Sequence, residues 1–222
     1  MQEKPRQSRP NILVINEIFH SIQGESSHMG RPCVFVRLTY CNLRCVWCDT
    51  EYAFYEGKEM SVEEILDVVR RYDCQLVEIT GGEPLLQENV HQLMKLLCDQ
   101  GFEVLLETGG SLDITKVDPR VNRIVDFKCP SSGMMGRNRW ENADSLTRKD
   151  EVKFVVGTRE DYEWSKEMIS SRSLNKKCPV LMSPVFGTET LRLAEWILDD
   201  KLDVRFQLQM HKYIWSPETK GV

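Results

Sequence analysis

Short apolar, β-branched runs alternate with helical patterns along most of the chain. Residues 11–19 (NILVINEIF) read as a strand. Residues 32–38 (PCVFVRL) form a continuous apolar run of the kind buried on both faces of a sheet. Further strands are expected at 75–80, 102–108, 123–128, 151–156, 179–185 and 202–209. Helices separate most of them. Ser61 and Glu64 have capping-box spacing and open a helix to about residue 72. A second helix ends at Gln100 with Gly101 as its stop, Thr158 caps a third, and a fourth covers about 189–198. The unit that starts at residue 123 is short of a helix, because a loop follows from 129 to about 146.

Six or so strand–helix units imply parallel strands joined by right-handed crossovers. Eight such units close a TIM barrel, so six leave it partial. The expected fold is therefore α/β, a partial (β/α)6 TIM-like barrel with an extra N-terminal strand. Residues 1–10 are polar and read as a mobile tail, and 11–222 read as a single domain. The strands share a second pattern. Polar residues recur at alternate positions: Arg37 and Thr39, Glu78 and Thr80, Glu103 and Glu107, Asp126 and Lys128, Glu151 and Lys153, Gln207 and Gln209, then His211. Side chains alternate across a strand, so each set shares a face. Mutual ion pairing or an outward row would explain any one of them. Taken together they suit a ligand-filled mouth, since barrel active sites lie at the C-terminal ends of the strands.

Composition narrows the class. The 222 residues are 41% hydrophobic and 28% charged, so global disorder is not expected. A net charge of -5 argues against a general nucleic-acid or membrane-surface role. No apolar run reaches bilayer length and the start has no apolar signal core. Eight cysteines without an export signal favour the reducing cytoplasm, with thiols as ligands or core residues.

Three of those thiols carry the candidate chemistry. Cys41, Cys45 and Cys48 are spaced C-x3-C-x2-C immediately after the second strand. Thiolates suit zinc and iron–sulfur centres. Three on one loop can hold three irons of a [4Fe-4S] cube and leave the fourth open, whereas such clusters commonly have four cysteine ligands. Structural zinc would need a fourth ligand from a distance, for example Cys33, Cys74 or a histidine. Gly81-Gly82-Glu83-Pro84, about forty residues on, follows a strand and lets backbone approach a ligand closely. Arg37 could grip a carboxylate with a two-pronged hydrogen bond, or could pair with Glu17 or Glu25.

The cysteine spacing, with Trp47 before the last cysteine, resembles the radical S-adenosylmethionine (SAM) superfamily. The resemblance implies a [4Fe-4S] cluster on the three cysteines and SAM on its open iron. It implies SAM contacts at Gly82, with Gly81 and Glu83 beside it, at Asp126, Phe127 and Lys128, and at Ser183 near the adenine. Lys128 could instead close an ion pair with Asp126 or Glu151. Across nearly the whole chain, the segments Glu17–Phe19, Ser21–Glu25, Phe35–Leu38, Cys48–Thr50, Thr80–Pro84 and Gln209–Lys212 resemble the 7-carboxy-7-deazaguanine synthase family. That resemblance implies conversion of 6-carboxy-5,6,7,8-tetrahydropterin to 7-carboxy-7-deazaguanine, with SAM regenerated and Mg2+ required. It implies substrate contacts at Ile22, Gln23, Gly24, Arg37, Thr80 and His211, and Mg2+ on Thr50. Thr50 could otherwise cap a turn, and His211 could be structural. A homodimer is also implied, as is reduction by an electron-transfer protein such as flavodoxin or ferredoxin. Two rivals stand beside it: a radical SAM activase that installs a glycyl radical on a partner enzyme, and a non-catalytic zinc protein.

Overall fold

A computed structural model describes residues 10–222. The tail expected over 1–10 lies outside the described residues except for Pro10. The strands are β1 (Ile12–Ile22), β2 (Pro32–Leu38), β3 (Lys58–Ser61), β4 (Leu76–Gly81), β5 (Glu103–Thr108), β6 (Asn122–Asp126), β7 (Glu151–Val156), β8 (Val180–Pro184) and β9 (Arg205–Phe206). The helices are α1 (Val62–Arg70), α2 (Val90–Asp99), α3 (Arg159–Arg172), α4 (Leu174–Lys177), α5 (Thr190–Asp199) and α6 (His211–Ile214).

Among the described residues the nine strands form one sheet in the order β3-β1-β2-β4-β5-β6-β7-β8-β9. From β2 to β9 every neighbour is parallel, while β1 joins β2 and β3 antiparallel. The ends β3 and β9 do not pair, so the barrel is partial, with the extra N-terminal strand in place.

Local chemistry sets the elements. The Ser61 hydroxyl accepts from the Glu64 amide at 3.2 Å, and the Glu64 carboxylate accepts from the Ser61 amide at 2.7 Å. Thr158 and Asp161 make the same reciprocal cap on α3. Gly101 takes φ +87° where α2 stops. One outer core forms where Val34, Val36, Val77, Ile79, Val104 and Leu106 meet the helices. The alternate residues face inward, and their lowest layer is apolar: Phe19, Cys33, Phe35, Leu76, Leu105 and Ile124. Each such side chain contributes about 1.5–3 kcal/mol on burial. Above that floor the inward residues become polar.

Three expectations need correcting. The β5–β6 connection lacks an α-helix, whereas the β6–β7 connection, expected as a loop, indeed has only 3-10 turns. Asp113 and Asp118 accept from the amides of Thr115 and Arg120, both at 2.9 Å. Such side-chain turns compete with helix hydrogen bonding. The last strand is two residues long instead of eight, because the Gln207 and Gln209 side chains turn to other partners. The short exposed β3 was not foreseen, and its four residues carry no clean alternation.

Candidate active site

The polar inward faces and the loops above them line a cavity of about 600 Å³. Cys41, Cys45 and Cys48 all face it, half-buried and free of disulfides. Their loop is held from within. Tyr40 takes φ +81°, and its amide donates to the Ala53 carbonyl at 2.9 Å. Arg44 donates to the carbonyls of Cys41 and Leu43 at 2.8 and 2.6 Å and lies 4.2 Å from the Phe54 ring. Burial pushes the Cys41 thiol up to about 11 and raises Cys45 as well. Ligation would offset that, since a bound metal deprotonates its thiol. Among the described residues, no three His, Cys, Asp or Glu side chains converge to hold a single ion. Three free thiols around one cavity fit a cluster that gives each thiolate its own iron.

The Gly-Gly segment docks onto this loop. A Cβ on Gly82 would lie 2.3 Å from the Tyr40 carbonyl oxygen, so only glycine allows the approach. Gly81 and Gly82 line the cavity. Glu83 stands behind the wall. Its buried carboxylate accepts from the Leu85 amide at 3.0 Å, the Gly109 amide at 2.8 Å and the Thr108 hydroxyl at 2.8 Å. It therefore ties the end of β4 to the end of β5. Of the other candidate SAM contacts, Asp126 and Lys128 line the cavity, 2.8 Å apart in an ion pair. Phe127 is fully buried against Trp140, with ring centroids 4.4 Å apart, and Ser183 is buried on β8; neither lines the cavity. Glu151, the other partner considered for Lys128, instead accepts from the Ser27 amide at 3.0 Å.

The remaining candidates, Ile22, Gln23, Gly24, Arg37, Thr50, Thr80 and His211, all line the cavity. The Nε of Arg37 donates to Glu17 at 2.8 Å, and no other hydrogen bond reaches its guanidinium among the described residues. Half of its fork is thus structural and half is open to the cavity. Burial opposes the Arg37 charge, yet Tyr52 and Glu17 raise its affinity for the proton. A Cβ on Gly24 would lie 2.2 Å from the His211 Nδ1, so the two residues pack face to face. Burial lowers His211, which favours neutral imidazole. Thr50 makes no capping hydrogen bond, and its hydroxyl lies 3.7 Å from the Cys48 Sγ.

Several cavity groups were legible only as part of the polar pattern. Lys153 bonds Glu25 at 2.6 Å, bonds Glu107 and lies 3.9 Å from Asp126. Burial opposes its charge, but Glu107, Glu25 and Asp126 together hold it well above the usual lysine range. Strand alternation signalled Glu107 and Lys153; nothing local signalled that they meet. Residues 216–222 also line the cavity, and Lys212 pairs with Asp49 at 2.6 Å beside the last cysteine.

Residues 36–129 match the model of the radical SAM superfamily. A 7-carboxy-7-deazaguanine synthase of Koribacter versatilis is 50% identical over 95% of this chain and 100% of its own. One from Chlorobaculum tepidum is 50% identical over 95% and 97%. The chain belongs to the 7-carboxy-7-deazaguanine synthase family. The crystal structure of QueE from Escherichia coli superposes with a TM-score of 0.76 at 25% identity, covering 92% of this chain and 100% of that one. Streptococcus suis SuiB bound to S-adenosylmethionine shares the fold alone, with a TM-score of 0.56, 16% identity and coverage of 77% and 45%. As a radical SAM protein, this 7-carboxy-7-deazaguanine synthase family member uses a [4Fe-4S] cluster and SAM.

Proposed function

We propose that the protein converts 6-carboxy-5,6,7,8-tetrahydropterin to 7-carboxy-7-deazaguanine. The observation that carries this reading is the half-open Arg37 fork in the same cavity as the three free thiols. An open guanidinium suits the carboxylate of a small acid. Cys41, Cys45 and Cys48 would hold the cluster, with SAM alongside the Gly81-Gly82 backbone, Asp126 and Lys128. Held there, the cluster and SAM would supply the radical chemistry that opens the reaction.

The chain's own residues do the rest. Arg37 fixes the carboxylate and so the attached carbon, and Thr80 offers a hydroxyl in the same layer, since the two are register partners on adjacent strands. Phe19, Phe35 and Tyr52 wall the cavity against water. Thr50 would hold Mg2+, a hard cation that takes oxygen ligands and commonly keeps substrate or water among them. Glu83 and Phe127 act by positioning, through the β5 end and the core. The reading includes one catalytic domain over 11–222, a homodimer, a cytoplasmic setting and a reducing electron-transfer protein such as flavodoxin or ferredoxin. Among the described residues, no helix is long and apolar enough to cross a membrane.

Anaerobic incubation of cluster-loaded protein with SAM, Mg2+, reductant and carboxytetrahydropterin should yield the deazapurine acid by mass spectrometry. SAM cleavage without that product would sink the substrate assignment.

A further inference from the structure

Glu78 is a buried carboxyl in the cavity wall that the chemistry above does not use. It is central in β4, one inward position below Thr80, and its register partner on β2 is Phe35. The Gln23 side-chain amide donates to its Oε2. The Gln23 Oε1 is itself taken by the Glu25 amide at 2.9 Å. Gln23 is therefore locked between two protein partners, with little capacity left for a ligand. No cation lies within ion-pair distance of Glu78 among the described residues, although Glu25, Glu107 and Asp126 all have Lys153 close by. Its Oε1 accepts no hydrogen bond among the described residues and is not an orphaned, sealed atom. A buried carboxyl without a cation is costly unless it is protonated or a ligand pairs with it.

Resting on the carboxypterin reading, we propose that Glu78 is the specificity residue that reads the 2-amino edge of the substrate's pyrimidinone ring. The layering of the cavity gives the direction. If Arg37, at the level of Thr80, holds the carboxylate, the other end of the flat substrate reaches the next layer down, where Glu78 stands. A carboxyl there forms two parallel hydrogen bonds with an amino group and the adjacent ring nitrogen. Ionised, it accepts from the amino group and a ring N–H; protonated, it donates to an unprotonated ring nitrogen and accepts from the amino group. Burial, followed by the neighbouring Glu107 and Glu25, raises the Glu78 carboxyl well above the usual range, which favours the protonated form. A site built for a substrate N–H rejects an analogue that lacks it, because the buried partner is then unpaired.

The test is calorimetry on the protein loaded with cluster and SAM. The probes are 6-carboxypterin and 6-carboxylumazine, which has a carbonyl in place of the 2-amino group. Wild type should prefer the pterin by roughly 100-fold or more. Glu78→Gln, of nearly the same size, should bind the pterin about 10–100-fold more weakly and lose most of that preference. Equal affinity of wild type for the two probes overturns the proposal and needs no variant. Unchanged pterin affinity and preference in Glu78→Gln overturns it as well. A failure of the carboxypterin reading looks different: wild type then binds neither probe and makes no deazapurine.

Discussion

At the scale of single residues, the cavity is governed by how few cations serve its carboxylates. Among the described residues Lys153 is the only cation paired with Glu25 and Glu107, and each is mostly buried. Lys153→Met should therefore destabilise the fold by about 3–5 kcal/mol, because two buried carboxylates lose their partner. Urea unfolding measures this, and a loss under about 1 kcal/mol would show that the carboxylates are not held as described. Protonation gives a second handle. Burial first, then Glu107 and Glu25, raise the folded-state Glu78 carboxyl above 4.5, so the folded state binds the extra proton. Its contribution to stability is full below about pH 4.5 and is lost as pH rises through the folded value. Glu25 works the other way. Burial raises it, Lys153 and Gln209 outweigh that, and its net lowering supplies stability that is lost as pH falls. Glu78→Gln removes only the first effect, so the fall in melting temperature between pH 5 and pH 8 should be shallower than in wild type. Parallel curves for the two proteins would contradict this.

At the scale of elements, the Glu83 clamp decides whether the two glycine turns stay together. It spans from two residues past β4 to Thr108 and Gly109 at the end of β5. Glu83→Ala strands several buried donors, at about 1–3 kcal/mol for each group left unsatisfied. A stability loss of about 2–5 kcal/mol in denaturant titration is expected, with the cysteine loop loosened through the Glu83 amide bond to Tyr40 at 2.7 Å. A wild-type midpoint in that variant would remove the clamp from the account. Sequence reasoning placed Glu83 against the ligand because its motif does; it could not see that the side chain turns away once the backbone turns toward the cavity. The same holds for Phe127, whose neighbours Asp126 and Lys128 face in while its ring stacks on Trp140. Strand alternation accounts for that opposite facing, which the motif taken as a block does not. What was legible were the features with local signals: capping boxes at Ser61 and Thr158, apolar runs, and cysteine spacing. The curtailed β9 was not, since Gln207 bonds the distant Ser26; the missing β5–β6 helix turned on the local Asp113 and Asp118 bonds, which strand–helix alternation does not weigh.

At the scale of the whole molecule, the open edge of the sheet is bridged by segments instead of a strand. The Ser26 amide donates to Gln207 Oε1 at 2.9 Å, and Gln207 Nε2 donates back to the Ser26 carbonyl at 2.7 Å. The Met210 amide donates to the Gly24 carbonyl at 3.0 Å. These bonds bring the loop after β1 and the chain after β9 together on the cavity wall, each bearing proposed substrate contacts. Gln207→Leu should leave the Ser26 backbone unpaired and speed amide exchange at 24–27 by roughly 10-fold or more, as about 1–3 kcal/mol of local protection is lost. Unaltered exchange there would mean that the segments are held by other contacts.

The role of the cysteine loop rests on what its three thiols hold. Iron and acid-labile sulfide should be quantified in anaerobically purified wild type and in Cys41→Ala. The account predicts about four of each per wild-type chain and a large loss in the variant. Stoichiometric zinc without sulfide in the wild type would contradict it.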